Sequence, residues 1–368
     1  MRNLGLDLLR LVAVLLVIVR HVHNSEENHL IFQLLEVGGW VGVDLFFVIS
    51  GFLISFLLFK EFATTQTMNL GRFLIRRAFK IYPPFWLVTF FSVLMFGLTR
   101  QARPLSALIV ELSFLQNYFP GVWLYTWSLA VEEHFYLGIA FVFSGLKQFR
   151  FSKSIKLVPL LCLSVLIYCC YLRYSETFGV THYFYFMYAF KTHLRVDSLC
   201  FGVLLSYLVY FRGIGRNWGF LTSVFSIFLG LCLLIPAFIY PQEIHPWILI
   251  WGVILFYFGS GFLILGMIRF RSSKIKLLNY LGILGASSYS IYLWHMPIRA
   301  WIFPPFIRLT GISNPDLQVS CYTLLCLAVG WIMYLFVEKP TLWLRDQIYK
   351  EDQLPKKDSS LGFAPAVA

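Results

Sequence analysis

Apolar positions along this chain gather into ten continuous runs, at 4–23, 37–59, 81–99, 122–146, 155–174, 192–211, 218–240, 246–268, 277–303 and 318–338. Runs of about 20 apolar residues are long enough to cross a bilayer as helices. A transmembrane barrel would instead show short segments in which apolar and polar residues alternate. The pattern predicts an all-α, polytopic membrane helical bundle of about ten transmembrane helices. Loops are short, no solenoid period is present, and no linker divides the chain. One integral-membrane domain, 1–345, is expected. A polar tail, 346–368, containing Pro355-Lys356-Lys357-Asp358-Ser359-Ser360, is expected to be disordered and cytoplasmic.

Composition agrees with a bilayer as solvent: 59% of residues are hydrophobic and 13% charged, with 38 Phe, 20 Tyr and 11 Trp. A soluble protein of this size could not bury so much apolar surface. The net charge of +12 could suggest nucleic acid, but its distribution argues otherwise. With the N-terminus in the cytoplasm, 21 of the 30 Lys and Arg residues fall at inner loops and ends, including Lys60, Arg72, Arg76, Arg77 and Lys80. The positive-inside rule then places both termini in the cytoplasm and makes the basic excess a matter of topology. The seven cysteines lie within predicted spans without metal-ligand spacing, so they read as packing residues and no metal is expected. The first run is expected to be a retained helix and not a signal peptide. Asp7, Arg10, Arg20 and His21 interrupt it, and no small-x-small site precedes Asn24-Ser25-Glu26-Glu27.

Ionisable residues inside the runs carry the chemical signal, because charges within a bilayer are costly and usually face polar cavities. Arg10 and His21 stand eleven residues apart on the first run. Eleven helical steps return to within about 20° of the starting direction and rise roughly 16 Å. Both side chains therefore line one helix face, near opposite ends of the hydrocarbon layer. In GRFLIRRAFKIYPPFW, Arg72, Arg76 and Lys80 form a basic stripe with Arg77 beside it, expected to stop at Pro83-Pro84. Such a stripe is either a membrane anchor or a clamp for a phosphorylated molecule.

Asp44, with Ser50 further along, lies inside the second span and needs either water or a basic partner. In TWSLAVEEHFYLGIAF, Trp127 precedes three consecutive ionisable residues, Glu132, Glu133 and His134. Successive helical residues diverge by about 100°, so the three are not expected to share one cavity. Arg195 and Asp197 begin the sixth span, and His295 sits in the ninth beside Trp294. Alone, His295 reads as a hydrogen-bonded core histidine before a catalyst.

Taken together these segments resemble the acyltransferase 3 family of integral-membrane O-acyltransferases, over residues 4 to 340. The resemblance is carried by Arg10-x10-His21, by GVDLFFVISGF, by Arg76-Arg77-Ala78-Phe79-Lys80-Ile81-Tyr82-Pro83, by WSLAVEEHFY and by SYSIYLWH. Lys80 stands where the family often has arginine, so charge is kept and bidentate geometry is not. The resemblance implies transfer of an acyl group, usually acetyl, from cytoplasmic acyl-CoA to a hydroxyl of a cell-surface glycan such as lipopolysaccharide O-antigen or exopolysaccharide. The alternatives are a small-molecule acceptor such as a macrolide, or a transporter or flippase of a glycan precursor. Some family members carry a fused extracytoplasmic hydrolase-like domain; this sequence is expected to be a stand-alone form. The implied location is a bacterial inner membrane, with bilayer, acyl-CoA and a free or lipid-linked glycan as partners, and the oligomeric state open. In the implied site Arg76, Arg77 and Lys80 hold coenzyme A phosphates and Arg10 guides the donor. His21 acts as general base or acyl carrier, and Glu132 orients its imidazole.

Overall fold

A computed structural model describes residues 3–22, 29–148, 155–177 and 189–349. Of the expected tail, 346–368, residues 350–368 lie outside the described residues, and Asp346 to Ile348 are helical. The described chain is helical throughout and contains no strand.

The helices are α1 (Leu4–Arg20), α2 (Leu30–Gly38), α3 (Val41–Thr65), α4 (Leu70–Leu98), α5 (Leu105–Leu112), α6 (Trp127–Gln148), α7 (Val158–Thr177) and α8 (Thr192–Arg212). They continue with α9 (Phe220–Ile239), α10 (Val253–Met267), α11 (Lys276–Ala286), α12 (Ser288–Pro297), α13 (Phe303–Thr310), α14 (Pro315–Met333) and α15 (Lys339–Ile348). Seven helical segments among the described residues are long and apolar enough to cross a membrane. Three of the ten predicted spans fall outside that set for visible reasons. α1 has only 17 residues, α6 carries Glu132, Glu133 and His134 in its first half, and the ninth run is broken at Ser287.

Two prolines explain local departures from regular helix. Pro297 has no N–H to give the carbonyl of Leu293, four residues back. The helix widens into a π turn at Ile298–Ile302, and the hydroxyl of Tyr125 donates to that Leu293 carbonyl at 2.7 Å. Pro340 follows a second π turn, Tyr334–Glu338, which joins α14 to α15. The basic stripe does not stop at Pro83-Pro84: α4 runs through both to Leu98. Neighbouring helices tolerate proline inside membrane helices by supplying other partners.

At the centre, α3 packs on α1, α8 and α10. Its contact with α8 brings backbones together at glycines. A Cβ on Gly51 would lie 2.0 Å from the Leu199 carbonyl oxygen, and one on Gly202 would lie 2.4 Å from that of Val48. Small residues at such crossings let membrane helices approach closely. By contrast, α9 turns Phe220, Leu221, Phe225 and Phe228 outward, the apolar surface that lipid solvates.

Candidate active site

Two cavities lie along α1, one toward each end. The first, about 370 Å³, is lined by Arg10 from α1, Ser50 from α3, Arg76, Arg77 and Lys80 from α4, Glu132, Glu133 and Tyr136 from α6, and Arg345 from α15. The second, about 490 Å³, is lined by Arg20, His21, Trp40, Arg103, Trp123, Tyr125, Trp127, Phe190, Arg195 and Arg299, with Glu36 as its acidic member. Val43 and Tyr292 line both. The partition between them is therefore as thin as these side chains.

Three of the five cations lining the first cavity are unpaired among the described residues. Among the described residues Arg76, Arg77 and Lys80 have no carboxylate within ion-pair distance, and the guanidinium of Arg77 lies 6.0 Å from the Tyr136 ring centre. Arg72 departs from the expected stripe, because Glu61 takes it at 2.9 Å. Arg10 lies 3.5 Å from Asp7, and Arg345 is paired to Asp346. Glu132 and Glu133 both face this cavity despite being sequence neighbours. Ser50 donates to Glu132 at 3.3 Å and the Tyr136 hydroxyl to its other oxygen. Tyr82 donates to Glu133 at 3.1 Å. His134 turns away, to the hydroxyl of Thr192 at 2.6 Å. Glu132 therefore does not orient His21: it lines the other cavity, and both of its oxygens are engaged there.

His21 sits just past the end of α1, its backbone N–H capping the last turn through the carbonyl of Ile18. Its Nδ1 is 2.8 Å from the Val17 carbonyl oxygen. A carbonyl only accepts, so in the neutral ring Nδ1 carries the proton and Nε2 keeps its lone pair. The neighbour of His21 is His295, with ring centres 4.9 Å apart and edge-on. His295 is fully buried, and its Nδ1 donates to the Tyr292 carbonyl. Its Nε2 has no hydrogen-bond partner among the described residues. Tyr125 packs edge-on against His295 at 4.9 Å, and Tyr322 donates to the His295 carbonyl at 2.8 Å. The site thus holds two imidazoles whose Nε2 atoms no other described residue engages.

Tyr292 is fixed from two sides. Its hydroxyl donates to the Tyr125 carbonyl at 2.6 Å and meets Ser128 at 2.7 Å. Asp44 finds the basic partner the sequence left open: Arg195 binds it at 2.7 Å and Ser198 at 3.0 Å. Arg195 also lies 5.5 Å from the ring centre of Trp127. Asp197, on the far side of α8, pairs with Arg173 at 2.7 Å and lines neither cavity.

Sequence reasoning missed Tyr292, Arg299, Arg103, Arg345 and the buried Glu338, which accepts from Ser290 at 2.7 Å. Arg299 carried a usable signal, being a charge inside a predicted span four residues after His295. Arg103 and Arg345 carried none, since each looks like an ordinary loop or tail cation.

The family model of the acyltransferase domain matches residues 3–335. Similar proteins include the O-acetyltransferase OatA of Staphylococcus aureus (strain MRSA252), 28% identical over 390 residues, which cover 96% of this chain and 59% of OatA. YrhL of Bacillus subtilis (strain 168), whose name marks it as a candidate peptidoglycan O-acetyltransferase, is 27% identical over 91% of this chain and 54% of its own length. The chain therefore spans less than two thirds of these relatives. No solved structure matches it. With the family pattern covering nearly every helix that builds the two cavities, this chain belongs to the acyltransferase 3 family of integral-membrane acyltransferases.

Proposed function

We propose that this protein is an O-acetyltransferase of a bacterial inner membrane that takes acetyl groups from cytoplasmic acetyl-CoA and passes them to a hydroxyl of a cell-envelope glycan. The observation that carries the reading is the pair of cavities meeting at Val43 and Tyr292. One holds three cations that no described carboxylate pairs with, and the other holds His21 beside His295. In this reading Arg76, Arg77 and Lys80 hold the donor's phosphates, the two guanidiniums each able to grip two oxygens. Arg10 and Arg345 add charge at the same mouth. Ser50, Glu132 and Glu133 offer hydrogen-bonding groups to the amides of the pantetheine arm, whose thioester end points toward Tyr292.

The reaction then needs one base. As the acceptor oxygen bonds to the acetyl carbon, its proton passes to Nε2 of His21. The carbon–sulfur bond breaks, and the departing thiolate takes the proton back. In the acyl-histidine route the same lone pair attacks the thioester carbon and coenzyme A leaves as thiolate. The acceptor oxygen then attacks the acetyl carbon, its proton passes to that thiolate, and the carbon–nitrogen bond to His21 breaks. His295 packs the imidazole in place in either case, and the Val17 carbonyl holds the required tautomer.

The test is acetyl transfer from radiolabelled acetyl-CoA by the purified chain in nanodiscs, with and without peptidoglycan-type glycan. His21→Ala is expected to lower the rate by about 10²–10⁴-fold, the contribution typical of a positioned general base, while leaving donor binding in place. Unchanged turnover in that variant would remove His21 from the chemistry. Gradient-driven glycan movement without loss of acetyl-CoA would make the protein a transporter.

A further inference from the structure

The second cavity, the outer one in the proposed topology, carries more positive charge than the described residues around it neutralise. Of its four arginines, Arg195 is bound by Asp44. Arg20 is bound by Glu243 and the carbonyl of Glu36. The other two are left over. Arg103 lies with its guanidinium 4.5 Å from the Phe96 ring centre and has no carboxylate partner among the described residues. Arg299 has neither a hydrogen bond nor an ion pair among the described residues. Among the described residues the opposing charge in the lining is Glu36 alone.

Position makes Arg299 more than a stray cation. It follows His295 by four residues, about 6 Å along the same helical rod, and its charge reaches both His21 and His295. The π turn that begins at Ile298 sets its direction. Facing it are broad aromatic walls from Trp40, Trp123, Tyr125 and Trp127. Trp127 is itself stacked on Phe190 at 4.8 Å. Flat aromatic faces suit the apolar faces of sugar rings, and the cavity volume suits a small ligand. Arg299 is half-buried and Arg103 exposed, and an anionic group on the sugar would give both guanidiniums charge-assisted partners that a neutral sugar lacks.

We propose that the outer cavity is the acceptor subsite, and that it selects a sugar bearing an anionic group, which Arg299 and Arg103 bind while the aromatic walls hold the ring and present its hydroxyl to His21. The inference rests on the acetyltransferase reading and narrows its acceptor. A carboxylate on the sugar and a phosphate attached to it offer the same bidentate chemistry to arginine.

Binding and transfer are measured separately, so that the two proposals can fail independently. Tryptophan fluorescence of the chain in zwitterionic nanodiscs, at low salt, reports titration with N-acetylmuramic acid, N-acetylglucosamine 1-phosphate and neutral N-acetylglucosamine. At least one anionic sugar is expected to bind about tenfold or more tightly than the neutral one, consistent with a charge-assisted hydrogen bond. Which anion leads identifies the carboxylate or the phosphate as its source. The preference is expected to vanish in Arg103→Gln/Arg299→Gln, and to persist in weaker form in Arg299→Lys, which keeps the charge and reports on folding. Equal binding of all three sugars overturns the inference, as does an anion preference that survives the double Gln change. Anion-selective binding with no loss of acetyl from acetyl-CoA would leave the subsite standing and overturn the acetyltransferase reading instead.

Discussion

Glu111 shows how one side chain outside the spans shapes the site within them. It is fully buried and accepts from the backbone N–H of Val122 at 2.9 Å and from the Thr126 hydroxyl at 2.6 Å. Both bonds hold the segment that delivers Trp123, Tyr125 and Trp127 to the second cavity. A Cβ on Gly121 would lie 2.4 Å from the same carboxylate, so the turn closes around it. Burial pushes the Glu111 carboxyl up to about 7 from its usual 4.5, against the hydrogen bonds that favour the charged form. The folded state therefore binds this proton more tightly than the unfolded chain. Its contribution is full below about pH 4.5 and is lost as pH rises through about 7, at most on the order of 3 kcal/mol. Thermal unfolding across pH 5 to 8 is expected to show the wild-type melting temperature falling relative to that of Glu111→Gln. Parallel curves for the two proteins would refute that link. Nothing in the sequence marks Glu111, because its partners lie in an irregular turn ten or more residues away.

At the level of elements, α3 and α8 form the core contact, and polar groups accompany the glycines there. Asp44 of α3 is fully buried and bound by Arg195 and Ser198 of α8. Removing one partner of such a pair strands the other charge, which typically costs about 3–5 kcal/mol, whereas replacing both with apolar residues is often neutral. Asp44→Ala and Arg195→Met are each expected to lower the melting temperature sharply, and Asp44→Leu/Arg195→Met to recover much of it. Additive losses in the double variant would show that no coupling exists. The sequence displayed Asp44 and Arg195 as separate oddities and could not join residues 151 positions apart. Apolar runs, by contrast, located the helices well, since burial in lipid depends on length and hydropathy alone. Helix ends were less legible. The fourth span starts at Trp127 and not at 122, because Glu111 draws Val122 and Trp123 into a turn. Pro83-Pro84 failed to end α4 because packing within the bundle outweighs a local propensity.

For the whole molecule, the decisive arrangement is two cavities of different chemistry, one behind the other along α1, with Tyr292 and Val43 between them. Along a single helix this arrangement was legible in advance: Arg10 and His21 lie on one face, a rise apart. It did not reveal the partition, since an aromatic residue in a membrane span looks like packing until its hydroxyl is seen bridging Ser128 and the Tyr125 carbonyl. In the proposed reaction that partition must let a thioester end pass and must keep water out, because water competes with a glycan hydroxyl for the acetyl group. Tyr292→Ala removes the ring and leaves the buried Tyr125 carbonyl without its donor. Hydrolysis of acetyl-CoA in the absence of acceptor is therefore expected to rise, and the share of acetyl reaching glycan to fall, with inner-cavity binding of the donor retained. Tyr292→Phe keeps the ring and loses only the hydroxyl bonds, so it is expected to keep most of the transfer while losing about 1–3 kcal/mol of stability for the unpaired carbonyl. Both quantities come from one experiment that counts free acetate against acetylated glycan. If Tyr292→Ala partitions acetyl between water and glycan as the wild type does, the barrier between donor and acceptor lies elsewhere in the bundle.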